Sequence, residues 1–464
     1  MLWNFKQFGT KTALLNDCGE SITYNELAER STEIAKVIDG RCLVFVLCKN
    51  TLGSAIAYFS SIEQGIVPAL LNANLEQLLL DSLIEQYRPA YIWSQSDISN
   101  GKYTTVYECY DYKLFKTDND KDVVLHDDLA LLLTTSGSTG SPKFVRQSYQ
   151  NISSNMKSIA SYLSITGEER PITTLPMNYT YGLSILQSHA LVGATMLLTD
   201  APVTTRDFWT FFKTQDATSF GGVPYTYEML DQMRFTRTAL PSLKTMTQAG
   251  GKLLPSLHEK LAKWCMETGK QFIVMYGQCE ATARMAYLPW EQSLEKVGAM
   301  GVAIPGGRFE LIDVNGEPIK EPNIAGELRY FGENVTLGYA ESCSDLAKGD
   351  ERNGVLDTGD IAQMDEEGIY TIVGRKKRFL KLFGNRVNLD EVERMLKAEY
   401  PEVEVACAGN DDNLIIFSTN EDMLENMRNY IISKTGLSHQ GFSTKKIDSI
   451  PKNEAGKVLY RELE

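Results

Sequence analysis

LALLLTTSGSTGSPK, residues 129–143, is the stretch on which the fold turns. Its first part, LALLLTT, is a strand-length segment opening on the apolar run LALLL. Its second part, TTSGSTGSPK (134–143), offers hydroxyls from Thr134, Thr135, Ser136, Ser138 and Thr139. Gly137 and Gly140 let the backbone turn so that N–H groups can face an anion, and Lys143 adds a positive charge. A strand running straight into such a loop has the chemistry needed to hold a polyphosphate. It is not the Walker loop, which requires G-x-x-x-x-G-K-S/T. Here Gly137 lies three residues before Gly140, and Ser-Pro separates Gly140 from Lys143. Taken alone, the same residues also read as a Ser/Gly surface loop.

The flanking sequence supplies the rest of the sheet. Residues 23–38 read as a helix: Thr23 and Glu26 have capping-box spacing, and Leu27, Ile34 and Ile38 can share a face. CLVFVLC (42–48) is a short buried strand, 52–64 the following helix ended by Gly65, and IVPALLN (66–72) and AYIWS (90–94) continue the pattern. Strands alternating with helices predict a parallel sheet with crossovers. Segments 195–198 and 272–275 are further apolar strands, each followed by polar or glycine loops. From Arg308 the pattern changes. RFELID, GELRYFG and GIYTIVG are short strands with Gly and Pro turns, which predict an antiparallel subdomain. GRKKRFLK (374–381) is a charged break and a candidate hinge. Beyond it, a helix over LDEVERMLKA, strands VEVACAG and LIIFST, and a helix over 421–434 form a small α+β unit. No fixed-period repeat or low-complexity tract is present.

Bulk properties narrow the class. A length of 464 residues implies two or three cores. A hydrophobic fraction of 43% with 23% charged residues is that of a soluble globular protein. The formal net charge of -14 argues against a nucleic-acid binder. None of the 8 cysteines forms a CxxC pair, so neither a zinc site nor a dithiol motif is visible. The first twenty residues lack the apolar core of a signal peptide, and no apolar run approaches membrane-spanning length. The expectation is a cytoplasmic protein with reduced thiols.

The 134–143 loop closely resembles the nucleotide loop of the acyl-adenylating superfamily: acyl-CoA synthetases, luciferases and the adenylation domains that load carrier proteins. The resemblance spans nearly the whole chain as ordered, widely separated motifs. Its departures mark a divergent, bacterial-type member. Phe144 follows Lys143 where Gly is common, and Tyr149 stands where His is common.

YGQCE (276–280) resembles the family's Tyr-Gly-x-Thr-Glu segment. The resemblance implies that Tyr276 and Gly277 line the adenine and that Glu280 holds the magnesium ion bridging ATP phosphates. Cys279 replaces the usual threonine, and a thiol is the weaker donor to phosphate. AGGKL (249–253) resembles the glycine segment passing along the adenine through Gly250 and Gly251. In DTGD (357–360), Asp360 takes the ribose-binding position, and Arg375 matches an arginine on the ribose or phosphate side. Lys377 falls at the family's hinge, and Gly384 in the loop brought to the site for the second half-reaction. Lys457, in PKNEAGKVLYREL (451–463), takes the place of the catalytic lysine.

LPMNYTYGL and FGGVPYTYEML resemble the acyl pocket, which would include Tyr179, Tyr181, Gly182, Gly222 and Tyr225. Tyr179 stands where many acyl-CoA synthetases have His. No Asp near the first segment is placed to hold a substrate ammonium, which argues against an ordinary α-amino acid.

The implied fold is a large N-terminal domain of parallel α/β sheets with a small antiparallel β subdomain (1–376), then a small mobile α+β C-terminal domain (377–464). The implied activity is ATP- and Mg2+-dependent conversion of a small carboxylic acid to acyl-AMP, then transfer to the pantetheine thiol of CoA or of an acidic acyl carrier protein. The basic cluster Arg375, Lys376, Lys377, Arg378 and Lys381 is a candidate contact for CoA phosphates or an acidic partner. No nucleic acid partner or membrane insertion is expected. The alternatives are an adenylase with a non-thiol acceptor and a nucleotide-binding homologue impaired in catalysis, to which Cys279 points.

Overall fold

The computed structural model describes residues 2–38, 40–98, 102–119, 123–134, 143–382, 385–411, 413–435, 437–452 and 458–463. The chain divides into two compact units: Met1–Arg308 with Phe331–Leu356, and Phe309–Tyr330 with Asp357–Glu464.

The first unit is organised by an eight-stranded sheet. Its order is Gly338–Ala340, Phe144–Ser148, Leu129–Thr134, Val67–Asn72, Leu43–Cys48, Tyr91–Ser94, Tyr112–Lys116, Thr104–Cys109. The four central strands are parallel and both margins are antiparallel. Burial of both faces explains the continuous apolar runs in the sequence. Successive residues go to opposite sides. Val44, Val46, Leu70 and Leu131 enter one apolar cluster, which contains Ile56 and Phe59 of the helix Leu52–Glu63. Phe45, Leu47, Leu71 and Leu132 enter the other, which contains Leu80, Leu83 and Tyr87 of the helix Gln77–Tyr87. Each such side chain contributes roughly 1.5–3 kcal/mol of transfer free energy. The capping box at Thr23 and Glu26 is formed in full and starts the helix Tyr24–Val37.

A second sheet carries parallel strands Ser219–Gly222, Thr245–Gln248 and Gln271–Tyr276, then the short antiparallel strands Ala286–Tyr287 and Val302–Ala303. Met196–Leu198 does not join it. That strand runs parallel to Thr12–Asn16 in a separate three-stranded sheet.

The second unit holds the five-stranded sheet that the Gly- and Pro-punctuated segments predict, ordered Pro318–Ile319, Arg308–Ile312, Gly326–Phe331, Val355–Met364, Tyr370–Arg375. It also contains the hairpin Phe379–Leu382/Asn385–Asn388 and the helices Leu389–Glu399 and Glu421–Thr435. A three-stranded sheet of Val405–Asn410, Asn413–Ser418 and Phe442–Lys446 completes it. Leu396, Cys407, Ile416, Met427 and Ile431 form the centre of its core.

Candidate active site

Residues 135–142 are framed by a β-hairpin. Leu129–Thr134 pairs antiparallel with Phe144–Ser148, with Thr134 opposite Phe144. Thr135, Ser136, Gly137, Ser138, Thr139 and Gly140 lie outside the described residues. Lys143 is fixed through its neighbour in the chain. Phe144 is fully buried against Tyr87 and Phe45, an apolar anchor that glycine could not supply. The strand Phe144–Ser148 also pairs with Gly338–Ala340, placing Ala340 opposite Phe144 and Tyr339 opposite Val145. In that register the Lys143 Nζ lies 3.8 Å from the Tyr339 ring centroid.

Tyr339 links this lysine to Glu280. Its hydroxyl donates to Glu280 Oε1 at 2.7 Å. Burial, and then the Glu280 charge, push the phenol pKa up, so Tyr339 stays a donor throughout the working pH range. On the same ring sits the Arg352 guanidinium, 4.7 Å from the centroid. Arg352 Nη1 donates to the Glu280 carbonyl at 3.0 Å and to Thr336 Oγ1 at 2.7 Å. The Thr336 N–H and hydroxyl each donate to the Glu280 carbonyl at 3.0 Å.

These donors hold a turn that the backbone resists. Thr282 and Ala283 have φ of +56° and +113°, and non-glycine residues there carry strain on the order of 1–3 kcal/mol. Asn334 Nδ2 secures the turn by donating to the Ala281 and Arg284 carbonyls at 2.8 and 3.1 Å. At Gly277 a Cβ would collide with the Ala283 carbonyl, so glycine is obligatory before this turn.

Glu280 therefore presents a carboxylate with one oxygen oriented by Tyr339 and no cation partner among the described residues. No three potential ligands cluster there among the described residues. A single carboxylate beside two cationic side chains fits Mg2+, which keeps water ligands and takes others from substrate phosphates. It does not fit an all-protein metal cage.

The segments AGGKL and LPMNYTYGL meet at Tyr179. Gly250 has φ +86°, and a Cβ there would lie 2.7 Å from the Tyr179 hydroxyl. At Gly251 a Cβ would meet Pro224 at 3.1 Å. The protein's own packing thus requires glycine at 250, in addition to any ligand. Burial, then neighbouring Cys279 and Tyr181, push the Tyr179 pKa up. Tyr276 ends the strand Gln271–Tyr276, and its hydroxyl accepts from Gln278 Nε2 at 3.2 Å.

Tyr181 is buried, with its hydroxyl 2.8 Å from Thr247 Oγ1. A Cβ at Gly182 would run into the Pro176 carbonyl, and one at Gly222 would press on Tyr227. Tyr179 and Tyr181 share an apolar cluster with Leu175, Ile185, Val223 and Met275. Tyr225, 47% exposed at the start of the helix Pro224–Gln232, stands outside it.

In the second unit, Asp360 and Arg375 meet across the ladder of Val355–Met364 and Tyr370–Arg375. The Asp360 carboxylate is nearly buried and receives Arg375 Nε at 3.1 Å. Thr358 Oγ1 accepts the Asp360 N–H at 3.1 Å, and Gly359 (φ +71°) makes the turn between them. The basic run after Arg375 is not one solvated strip. Lys376 pairs with Glu327 at 2.7 Å. Arg378 is buried and donates to Asp390, Glu393 and the Cys407 carbonyl. It is therefore unable to dock an external anion, which corrects the expectation for that residue. Lys377 lies in the single 3-10 turn Lys376–Arg378. Gly384 and Lys457 lie outside the described residues.

Tyr339, Arg352 and Thr336 are absent from the sequence-based site. They approach Glu280 from 56–72 residues downstream in the chain, and no local spacing announces them.

Residues 2–340 match the family described as AMP-binding enzyme. The chain belongs to that family. Among curated relatives it is 29% identical over 297 residues to an oxalate–CoA ligase of Arabidopsis thaliana, covering 63% of this chain and 56% of that protein. It is 25% identical over 406 residues to the 2-succinylbenzoate–CoA ligase of Bacillus subtilis (strain 168), covering 85% and 81%. The chain spans 56% to 62% of the length of the first curated relatives it matches. In fold it matches the o-succinylbenzoate CoA synthetase of Bacillus subtilis, solved with its acyl-adenylate intermediate. The TM-score is 0.80 at 22% identity, over 100% of this chain and 97% of that one.

Proposed function

We propose that the chain activates a carboxylic acid with ATP and passes the acyl group to a thiol. The observation that carries this reading is the Lys143–Tyr339–Glu280–Arg352 constellation, built around the position where the family places nucleotide phosphates. The relatives named as CoA ligases support it.

A carboxylate acylates poorly because its leaving group would be oxide. Attack of a carboxylate oxygen on the α-phosphorus of ATP expels pyrophosphate and leaves acyl-AMP. Catalysis of such a step is alignment and charge neutralisation. Lys143, Arg352 and the 134–143 loop hold the β and γ phosphates. Glu280, oriented by Tyr339, would hold Mg2+ together with substrate phosphates, and the ion would supply positive charge against the phosphate oxygens. Tyr276 and Gly250 flank the adenine, and Asp360 takes the ribose hydroxyls with Arg375 beside it. Lys457 bridges carboxylate and α-phosphate oxygens. The segment from Lys377 onward then turns, withdraws Lys457 and presents Gly384. A pantetheine thiolate, of CoA or of an acidic carrier protein, attacks the acyl carbon, and AMP leaves.

No helix among the described residues is long and apolar enough to cross a membrane, and all eight cysteines are free thiols. We place the activity in the reducing cytoplasm. The test is acid-dependent exchange of labelled pyrophosphate into ATP, followed by thioester formation with CoA or a phosphopantetheinylated carrier. Exchange without thioester formation on either would favour a non-thiol acceptor. No exchange with any acid would leave a nucleotide-binding protein.

A further inference from the structure

Beside the acyl cluster lies a cavity of about 40 Å³ with a buried arginine in its wall. Leu163, Ile185, His189, Gly221, Thr247 and Arg284 are among the residues that line it. It shares Ile185 with the Tyr179–Tyr181 cluster, and a Cβ added at Gly221 would touch the Tyr181 hydroxyl at 2.8 Å. At roughly 10–15 Å³ for each water centre, such a space holds about three waters, the bulk of one carboxylate and its hydration.

Arg284 is 2% exposed. Its Nε donates to Ser184 Oγ at 3.1 Å, and its Nη1 lies 3.2 Å from both the Tyr162 hydroxyl and the Met275 sulfur. Its guanidinium lies 5.1 Å from the Tyr181 ring centroid. Every one of these partners is neutral, and no carboxylate pairs with Arg284 among the described residues. The carboxylate in the cavity wall, Glu169, is already held by Lys244 and by the Thr218 hydroxyl. His189 stays neutral and adds neither a counter-ion nor a competing cation. Burial holds its pKa down to about 4, and its Nδ1–H donates to the Ile185 carbonyl at 2.8 Å. A buried guanidinium without an anion is costly to keep in a fold. It is retained here beside the proposed acid site, and the N–H groups not taken by Ser184 and Tyr162 are of the kind that pairs with a carboxylate.

We infer that Arg284 determines specificity by pairing with a second negative group at the far end of the acid, so that the chain selects dicarboxylic over monocarboxylic acids of equal length. The inference rests on the proposed reading of Tyr179, Tyr181 and Gly222 as the acyl wall.

The experiment compares succinate, glutarate and adipate with butyrate, pentanoate and hexanoate on the full chain. Two readouts are taken: ATP–pyrophosphate exchange, and the shift in melting temperature with each acid in the presence of ATP. At least one dicarboxylate should exceed its monocarboxylate partner by roughly 100-fold in kcat/KM, chiefly through KM. Arg284→Met should abolish that preference, losing the dicarboxylate and gaining on the monocarboxylate. Its melting temperature should stay level or rise, because a charge without a counter-ion has been removed. Arg284→Lys should keep part of the preference. Equal use of both series by the unaltered chain, or equal loss of both in Arg284→Met and Arg284→Lys, overturns the inference. If no acid drives exchange, the adenylating reading fails, and the melting shift still decides Arg284. A shift with dicarboxylates that Arg284→Met abolishes supports the site, and equal or absent shifts overturn it.

Discussion

Arg378 and Tyr460 grip one carboxylate from its two oxygens. Arg378 Nη2 donates to Glu393 Oε1 at 2.6 Å, the Tyr460 hydroxyl donates to Oε2 at 2.9 Å, and the guanidinium lies 3.6 Å from the Tyr460 ring centroid. Burial, then the Glu393 charge, push the Tyr460 pKa up, so the phenol remains a donor. Arg378 follows the proposed hinge residue Lys377, and Tyr460 follows the proposed catalytic Lys457 by three positions. Arg378 and Tyr460 are thus both fastened to the helix Leu389–Glu399 through Glu393.

Arg378→Ala should destabilise the second unit by about 3–5 kcal/mol, because Glu393 is left charged and buried without its cation. Urea unfolding followed by a probe in that unit measures the loss. A change below about 1 kcal/mol would mean that the pair behaves as a solvated one.

Tyr339→Phe removes the hydrogen bond that orients Glu280 while keeping the ring under Lys143. A bond to a charged group contributes about 1.5–3 kcal/mol, so the magnesium concentration for half-maximal pyrophosphate exchange should rise roughly tenfold or more. The melting temperature should barely move. Unchanged magnesium dependence would remove Glu280 and Tyr339 from the proposed metal site.

Two buried histidines predict the pH profile of stability. Burial lowers both His189 and His258 to about 4. His258 Nδ1 accepts the Gly298 N–H at 3.1 Å and its Nε2 lies 2.9 Å from Ser293 Oγ, an arrangement made for the neutral ring. The unfolded chain binds these protons near pH 6.5 and the folded chain only near 4, so stability is full above 6.5 and falls as pH drops toward 4. Each contributes on the order of 3 kcal/mol over that window. Urea midpoints at pH 7, 6 and 5 should fall progressively, and the fall should be shallower in His258→Gln. Equal slopes in both proteins would mean that His258 protonates freely when folded.

On the proposed reading, substitutions at Lys457 and Gly384 separate the two half-reactions. Lys457→Ala should lose pyrophosphate exchange by roughly 100- to 1,000-fold yet still convert supplied acyl-AMP and thiol to thioester. Gly384→Leu should do the reverse, if the proposed thiol path runs past this residue. Normal exchange in Lys457→Ala would show that the second unit does not supply the catalytic lysine.

Legibility in the sequence was local. The Thr23–Glu26 capping box spans one helical turn, and the apolar runs of 43–48, 67–72 and 129–134 carry their own burial pattern. The hairpin Thr104–Cys109/Tyr112–Lys116 gives no such signal, because its outer strand is largely exposed and lacks an apolar run. The Glu280 clamp and the Arg284 cage were hidden for another reason. Arg284 meets Ser184 and Tyr162 across 100 and 122 residues, and pairings at such range leave no spacing to read. The basic run misled because a string of cations does not show which of them have acids waiting. Asp360, Glu327, Asp390 and Glu393 claim three of the five.

The hairpin Leu129–Thr134/Phe144–Ser148 limits what can vary between its strands. A Walker loop hands its phosphate to the first turn of a helix and borrows that helix's dipole. Here the chain leaves one strand at Thr134 and re-enters its antiparallel neighbour at Phe144, so the two ends stand one strand spacing apart, about 5 Å, whatever residues lie between. Lys143 keeps its station over Tyr339 because Phe144 is locked into the core, independent of the length or composition of residues 135–142. A graft of a longer or shorter loop from another member of the family should therefore alter nucleotide preference while leaving the lysine in register.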